Sequence, residues 1–539
     1  MVNRGYEKSV FSITACLLLH LLFALFITPS YAAEPPHGGT LMMAVEGEEA
    51  NLNPQIVTGA TAQPIVNNIF NLLIYMDFKF EIIPGLARSW NVSKDGLTYT
   101  FYLAKDVTWH DGKPFTSADV LYTLKEMYPQ NPRGAWWKPG VNVFSEAPDP
   151  HTFVIKLKEP FAPLLPTLAF EVTGPKILPK HLYEGTEFKK NPYNNKPIGT
   201  GPFMFKEWVK GSHIELVRNP NYFAKGKQNK PYLDRIVFRT IPDSSARTLA
   251  LKKGEIDYIP STFVPLEDIV DLRKDKNLVV DKRGGGPETI KFFLFNLRNA
   301  PLSNKSVRQA IAYAMDKDAI YNLALAGEAK IAKSIVTSNT TWAFDPKVPD
   351  YAFDPNKANA LLDKAGYPRG PDGTRFKMRL GTIAGRGSDP VVVEVVRDSL
   401  KKVGIDAQMF TAELSSFYDA VFMRWDFDMV LQQAATGPDP TAGVTRFLHS
   451  RQIIKATFVN AMGYSNPEVD KLLDLEYKQT DRKQRAATWH RIQQIVLDEL
   501  PLIPVYEMPV ANVYRSNWVD LVTTLYGSAQ SREDAYMKK

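Results

Sequence analysis

Cysteine is nearly missing from this chain: Cys16 is the only one in 539 residues. It lies within an apolar run from Val10 to Ile27 that follows Arg4 and Lys8 and closes on Thr28-Pro29-Ser30-Tyr31-Ala32-Ala33. A basic start, an apolar middle and small residues at the end are the pattern of a secretory signal over residues 1–32, cut between Ala32 and Ala33. The alternative is an uncleaved anchor helix, but the run is at the short end for spanning a bilayer. Ile13-Thr14-Ala15-Cys16 looks like a lipoprotein box, yet the apolar run continues past Cys16, where such a box should close it. Cleavage leaves a mature chain with no cysteine, which excludes disulfides, thiol catalysis and cysteine-ligated metals together. A large exported chain without disulfides must rest on its hydrophobic core, and the expected compartment is the periplasm.

Catalytic motifs are missing as well. There is no G-x-x-x-x-G-K-[ST] loop, so the chain should not hydrolyse ATP itself. Gly284-Gly285-Gly286 has the wrong spacing for a dinucleotide fingerprint and reads as a turn. The eight histidines are spread singly, with no i, i+4 pair and no H-E-x-x-H, so no helix-borne metal site is expected. His110 and Asp111 are adjacent on a turn and point apart, which makes His110 a locally satisfied turn histidine. No G-x-S-x-G elbow occurs, and pairs such as Asp426/Asp428 lack a base or metal partner. No catalytic residue, cofactor or resident metal is called for, and the expectation is a binding protein rather than an enzyme.

What is present is ordinary globular material: 44% hydrophobic and 23% charged residues, enough for two to four packed units. Pro 39 and Gly 32 are spread along the chain, without low-complexity bias. The net charge is +7, but the basic residues form no stripe, so no nucleic-acid partner is expected. The first third reads as strands and turns. Leu97, Tyr99, Phe101 and Leu103 alternate with Thr98, Thr100 and Tyr102, and Thr116 with Asp119 three residues on reads as a helix start. The second half turns helical. Val307, Ala310, Ile311, Ala314 and Met315 form an apolar stripe, and Asp354-Pro355 caps a helix that runs to Gly366. Strands and helices alternate there, which predicts an α/β lobe on a mainly parallel sheet.

Several long motifs carry a family likeness. They are Pro84-Gly85-Leu86-Ala87-Arg88-Ser89-Trp90, Ser93-Lys94-Asp95-Gly96-Leu97-Thr98-Tyr99, Trp109-His110-Asp111-Gly112-Lys113-Pro114-Phe115-Thr116, Val307 through Lys317, Phe353-Asp354-Pro355 and Gly463-Tyr464-Ser465-Asn466-Pro467. In this order they resemble the extracellular solute-binding proteins of family 5 of ABC importers, which include oligopeptide-, dipeptide- and nickel-binding proteins. The resemblance implies two α/β lobes closing on a ligand, with an extra β-rich domain inserted in the first. The first lobe is expected at 33–78, 193–294 and 503–539, the inserted domain at 79–192 and the second lobe at 295–502. The crossings between lobes would then fall near 292–295 and 502–504. The implied partners are a small solute, peptide or peptide-like, and a membrane permease with separate ATPase subunits, the receptor itself acting as a monomer. Opines, oligosaccharides, metal chelates and a sensing or chaperone role stay open as alternatives.

Ligand contacts are expected in two regions of the second lobe. Gly385-Arg386-Gly387-Ser388-Asp389-Pro390 links a strand end to a helix start, a natural anion site. The resemblance to dipeptide binders makes Arg386 a carboxylate clamp; otherwise it is an exposed loop arginine. Gln432 through Pro440 resembles the family's Trp-x-x-Asp-Tyr-x-Asp-Pro segment, with Gln433 at the tryptophan and Thr436 at the first aspartate, which in peptide binders pairs with the peptide's amino group. Gln432, Gln433, Ala435 and Thr436 are therefore candidate contacts, and the carboxylate is lost. Trp425 either flanks the pocket or belongs to the core. In the first lobe Glu46 and Glu48, after the first strand, are the carboxylates that stand to replace the lost one.

Overall fold

The computed structural model describes residues 34–57, 61–130, 142–172, 174–223, 230–285, 289–384, 388–437 and 439–538. The expected signal segment and Arg386 lie outside these residues. Among the described residues no helix is long and apolar enough to cross a membrane.

The alternation at 97–103 forms the strand Thr98–Leu103, which buries Tyr99, Phe101 and Leu103 and leaves Tyr102 exposed. It sits within an antiparallel four-stranded sheet in the spatial order Ala87–Val92, Thr98–Leu103, Thr152–Leu157, Asn142–Asp149. Thr116 and Asp119 make a reciprocal capping box at the start of the helix Ser117–Tyr122. The stripe at 307–314 is the buried face of the helix Lys305–Ala314. Asp354 caps Pro355–Lys364 by accepting from the Lys357 amide.

Two larger sheets make the two lobes. The first has seven strands in the order Leu278–Asp281, Asn512–Arg515, Tyr258–Ile259, Thr40–Val45, Arg235–Thr240, His213–Arg218, Phe203–Val209. The second has six, in the order Lys330–Ile331, Leu502–Glu507, Thr289–Phe295, Met429–Ala435, Phe376–Ile383, Ile405–Ala412. Only Met429–Ala435, Phe376–Ile383 and Ile405–Ala412 pair in parallel there; the rest of the sheet is antiparallel. The mainly parallel expectation fails because two strands carry the chain in and out of the lobe rather than through strand–helix–strand units.

Those same strands correct the expected crossings. Thr289–Phe295 is flanked on both sides within the second sheet, and Phe292 lies opposite both Gln432 and Pro504. Its run from Ile290 to Phe295 is buried throughout, as a central strand requires. The chain therefore leaves the first sheet after Asp281 and enters the second at Thr289, and it returns between Glu507 and Asn512, several residues from the predicted positions. The inserted domain's edges shift for a similar reason. Leu73, Ile74 and Met76 already pack with Phe101 and Trp109, whereas Leu178, Tyr183 and Phe188 have rejoined the first lobe's core.

His110 is satisfied, but by Gly199 and Gly201 rather than within its own turn, which corrects the expectation of a locally satisfied histidine. Its Nε2 donates to the Gly201 carbonyl at 3.0 Å, and its Nδ1 accepts from the Gly199 amide at 3.2 Å. Both nitrogens are used by the neutral ring, and a proton on Nδ1 would face an N–H. Burial lowers the pKa to about 4 from the ordinary 6.5. The unfolded chain thus takes up a proton that the folded one refuses, so stability is full above about pH 6.5 and falls as pH drops toward 4. The slope for one proton is at most about 1.4 kcal/mol per pH unit. Thermal melts between pH 7 and 4 should show His110→Gln losing part of the wild-type acid slope; an unchanged slope would refute the assignment.

Candidate functional site

The register of the strands decides which residues meet at the crossings. In the second sheet Thr289, first in its strand, lies opposite Ala435, last in its own. Phe376–Ile383 runs parallel to Met429–Ala435, so it ends at the same edge. In the first sheet Asp281 lies opposite Asn512, and Ile259 opposite Val513. Thr40–Val45 runs parallel to Tyr258–Ile259 and Arg235–Thr240, so all three end at the edge where the chain leaves. The two crossings are fastened together: Met508 N donates to Thr289 O at 2.8 Å, and Asn512 Nδ2 to Arg283 O at 2.7 Å. Each lobe thus turns the carboxyl ends of its parallel strands toward the passage, where ligands bind in open α/β sheets.

This edge gathers Glu46, Glu48, Gln433, Ala435 and Thr436, and the strand Phe376–Ile383 ends there before the helix Asp389–Lys402 begins. Trp425 is not brought to it. It precedes Met429, which faces Phe295 at the far end of the strand, roughly 20 Å away at about 3.3 Å per residue. There it adopts φ 57°, its carbonyl accepts from Asn296 Nδ2, and its ring lies 4.0 Å from the Arg298 guanidinium carbon.

The remaining candidates differ in what they offer. Thr436 is buried, and its hydroxyl is bonded to the Thr337 hydroxyl at 3.3 Å, inside the second lobe. Gln432 is buried too; its Oε1 accepts from the Gln433 amide, and its Nε2 has no hydrogen-bond partner among the described residues. Gln433 is half-buried and Ala435 exposed. Glu48 is exposed but engaged: its Oε1 accepts from Trp208 Nε1 at 3.1 Å and Gly211 N at 2.7 Å, bracing the turn between Phe203–Val209 and His213–Arg218. Glu46 is exposed and supplies negative charge near Arg247. That arginine is buried and spends its guanidinium on the carbonyls of Ile241, Pro242 and Phe263; burial pulls its pKa down, and Glu46 and Asp243 oppose the shift.

Sequence reading missed an ion pair at the same edge. Lys291 Nζ lies 2.7 and 2.6 Å from the two Asp389 oxygens, and both side chains are about 95% buried. The one signal was a lysine inside the apolar run 290–295. Asp389 opens a fourteen-residue helix, where the backbone dipole favours a carboxylate. Removing one partner of such a pair costs about 3–5 kcal/mol, because the other is left charged and dry. A second omission links the lobes directly: Arg273 of the helix Leu266–Lys274 reaches Glu328 at 2.7 Å, and Lys282 reaches it at 3.5 Å. Neither cysteine nor histidine occurs among the described residues of these edges, at 46–48, 241–243, 260–264, 388–389 and 433–437. Among the described residues the arrangement offers amides, hydroxyls and carboxylates for polar binding.

Comparison with known proteins agrees with this geometry. The model for bacterial extracellular solute-binding proteins, family 5, matches residues 81–454. The oligopeptide-binding protein AppA of Bacillus subtilis is 30% identical over 88% of this chain and 87% of its own length. Among solved structures, NikZ of Campylobacter jejuni in complex with Ni(L-His) superposes with a TM-score of 0.73 at 26% identity, covering 89% of this chain and 95% of that one. DppA of Helicobacter pylori in complex with the peptide STSA gives 0.73 at 28% identity, covering 94% and 99%. With two sheets facing one passage and a family model matched over more than two thirds of its length, this chain belongs to the bacterial extracellular solute-binding proteins of family 5.

Proposed function

We propose that the chain is the periplasmic receptor of an ABC importer, a monomer that encloses a small polar solute between its lobes and hands it to a membrane permease driven by separate ATPase subunits. It is a receptor and not a catalyst. The observation that carries this reading is the pair of fastened crossings, with the carboxyl ends of both lobes' parallel strands turned toward them. In this reading the first lobe ends near 281 and resumes near 512, and the second spans 289–507. Binding energy comes from enclosure, which removes water and strengthens each polar contact.

The relatives bind peptides in some cases and a metal chelate in another, so the ligand of this chain is argued from its own edge. Peptide recognition by an amino group needs a full counter-charge, since an uncompensated ion in a closed cleft costs several kcal/mol. The position matched to the family's aspartate is Thr436, and its hydroxyl is turned to Thr337. Gln433 offers a neutral amide, and Glu48 is committed to Trp208 and Gly211. Only Glu46 among the candidates remains as an exposed carboxylate, and Arg247 already draws on its charge. The solute therefore carries no free α-amine at this spot; it is a neutral, hydroxyl-rich or blocked molecule, and an acidic end would fall to Arg386.

Two measurements test these statements. Small-angle scattering of the mature chain should show a smaller radius of gyration when its natural solute is bound, with circular dichroism unchanged. An unchanged radius at confirmed saturation would remove the hinge. In calorimetry against a set of di- to pentapeptides and their N-acetylated forms, acetylation should leave affinity equal or improved. A loss of tenfold or more on acetylation, about 1.4 kcal/mol, would show that the edge recognises an ammonium after all.

A further inference from the structure

The inserted domain, built on the four-stranded sheet, is joined to the first lobe. His110 bonds to Gly199 and Gly201, Asn67 Nδ2 donates to the Glu171 carbonyl at 3.2 Å, and the rings of Phe170 and Tyr526 stand 5.2 Å apart. The core that holds Phe101, Trp109 and Phe153 also takes in Tyr222, Phe223 and Leu525. Both crossings to the second lobe run from the seven-stranded sheet, so no chain leads from the inserted domain to the second lobe. Whatever holds those two surfaces together is non-covalent and free to open.

Such a contact is present, and it converges on the short turn between the helix Pro467–Glu476 and the helix Arg482–Glu499. Arg482 Nη1 donates to the Glu81 carboxylate, and Nη2 to the Lys79 carbonyl at 3.3 Å. Lys478 Nζ lies 2.8 Å from Glu159. The Ala162 amide donates to the Tyr477 carbonyl at 3.0 Å, and the rings of Phe161 and Tyr477 are 5.0 Å apart. Trp342 packs against the apolar cores of both bodies, with the guanidinium carbons of Arg482 and Arg485 5.6 and 5.0 Å from its ring centre.

The turn is fixed before it touches its partner. Gln479 N donates to the Glu476 carbonyl at 3.2 Å, Thr488 Oγ1 to Gln479 Oε1 at 2.9 Å, and Asp481 caps the next helix by accepting from Gln484 N at 2.8 Å. Arg485 Nε donates to the Glu476 carbonyl at 3.1 Å, while its Nη1 and Nη2 hold Asp439. Asp439 in turn caps the helix Pro440–Gly443, which follows the strand Met429–Ala435. A preformed surface loses little freedom on contact. The side chains that meet across the gap stay in part exposed, Arg482 and Glu81 at 39% and 62%, Lys478 and Glu159 at 53% and 45%. Exposed pairs of this kind form and break at small cost.

We propose that the turn 477–482 is a clasp. By gripping the inserted domain at Lys79–Glu81 and at Glu159–Ala162, it holds the lobes together at a place separate from the crossings, and it sets the balance between closed and open forms without touching the solute. The clasp rests on the two-lobe architecture, not on what the crossing edge binds or on whether the chain serves an importer.

Small-angle scattering of the mature chain without added solute tests it. One exposed pair shifts such a balance by at most about fivefold, so both are reversed together. Lys478→Glu with Arg482→Glu should raise the radius of gyration with circular dichroism unchanged, and adding Glu81→Lys with Glu159→Lys should bring it back. Lys377→Glu, which reverses an exposed charge of the second lobe outside the contact, should not change it. A second measurement reads the contact directly. A chain expressed from Ala33 has no cysteine, so Glu159→Cys and Lys478→Cys become its only thiols. A short bis-maleimide should join them within one chain, and Arg482→Glu should slow the joining severalfold. The proposal is overturned if the double reversal leaves the radius unchanged, if the swapped charges do not restore it, or if the two thiols do not join. A solute that compacts the wild type, beside a double reversal without effect, would keep the hinge and remove the clasp.

Discussion

The strand Thr289–Phe295 is the constraint on which the arrangement depends. It must complete the second sheet between Leu502–Glu507 and Met429–Ala435, and it must also receive the chain from the first sheet. Ladder hydrogen bonds on both sides fix its register, and that register puts Ala435 rather than Met429 beside the passage. A slip of one residue would turn Lys291 to the opposite face and leave it and Asp389 buried without each other. The location of the binding edge thus follows from pairing within one lobe.

A second layer of order fixes the segment that follows Ala435. Asp439 caps the short helix Pro440–Gly443 and takes Arg485 Nη1 and Nη2 at 2.8 and 2.6 Å. Glu476 shares that arginine, with Thr441 Oγ1 and Trp489 Nε1 also donating to it. Burial and the neighbouring Asp439 push the Glu476 carboxyl up, while Arg485 pulls it back. Such a network costs desolvation and returns geometry: it holds the helix Pro440–Gly443 against the end of the strand that Thr436 leaves. Gly443 completes the arrangement, because a Cβ there would lie 2.1 Å from the Thr436 carbonyl oxygen.

Local patterns were legible in the sequence where one physical cause dominated. The 97–103 alternation, the Thr116–Asp119 box and the Asp354 cap each depend on neighbours a few residues away or on burial alone, whereas His110 takes its partners from distant Gly199 and Gly201. The family motifs carried the two-lobe architecture. What could not be read was set by distant pairing. The crossings were placed inside Thr289–Phe295 and Leu502–Glu507 because an apolar run does not reveal how many partners it has. Trp425 looked like a pocket residue because it precedes the binding strand by four positions, and direction along that strand separates the two. Lys291 and Asp389 are 98 positions apart and carry no shared motif, so only the folded sheet joins them.

The bond from Met508 to Thr289 has a mechanical meaning. Two separate tethers would leave the lobes free to bend, shear and twist about one another. Tied side by side, they act as a ribbon, compliant to folding across its width and stiff to rotation about its length. Bending across that width is then the softest motion open to the lobes, and in the proposed receptor it is the one a ligand would drive. The Arg273–Glu328 contact, with Lys282 reaching the same carboxylate from the start of one crossing, adds a side-chain tie between the lobes beside that ribbon.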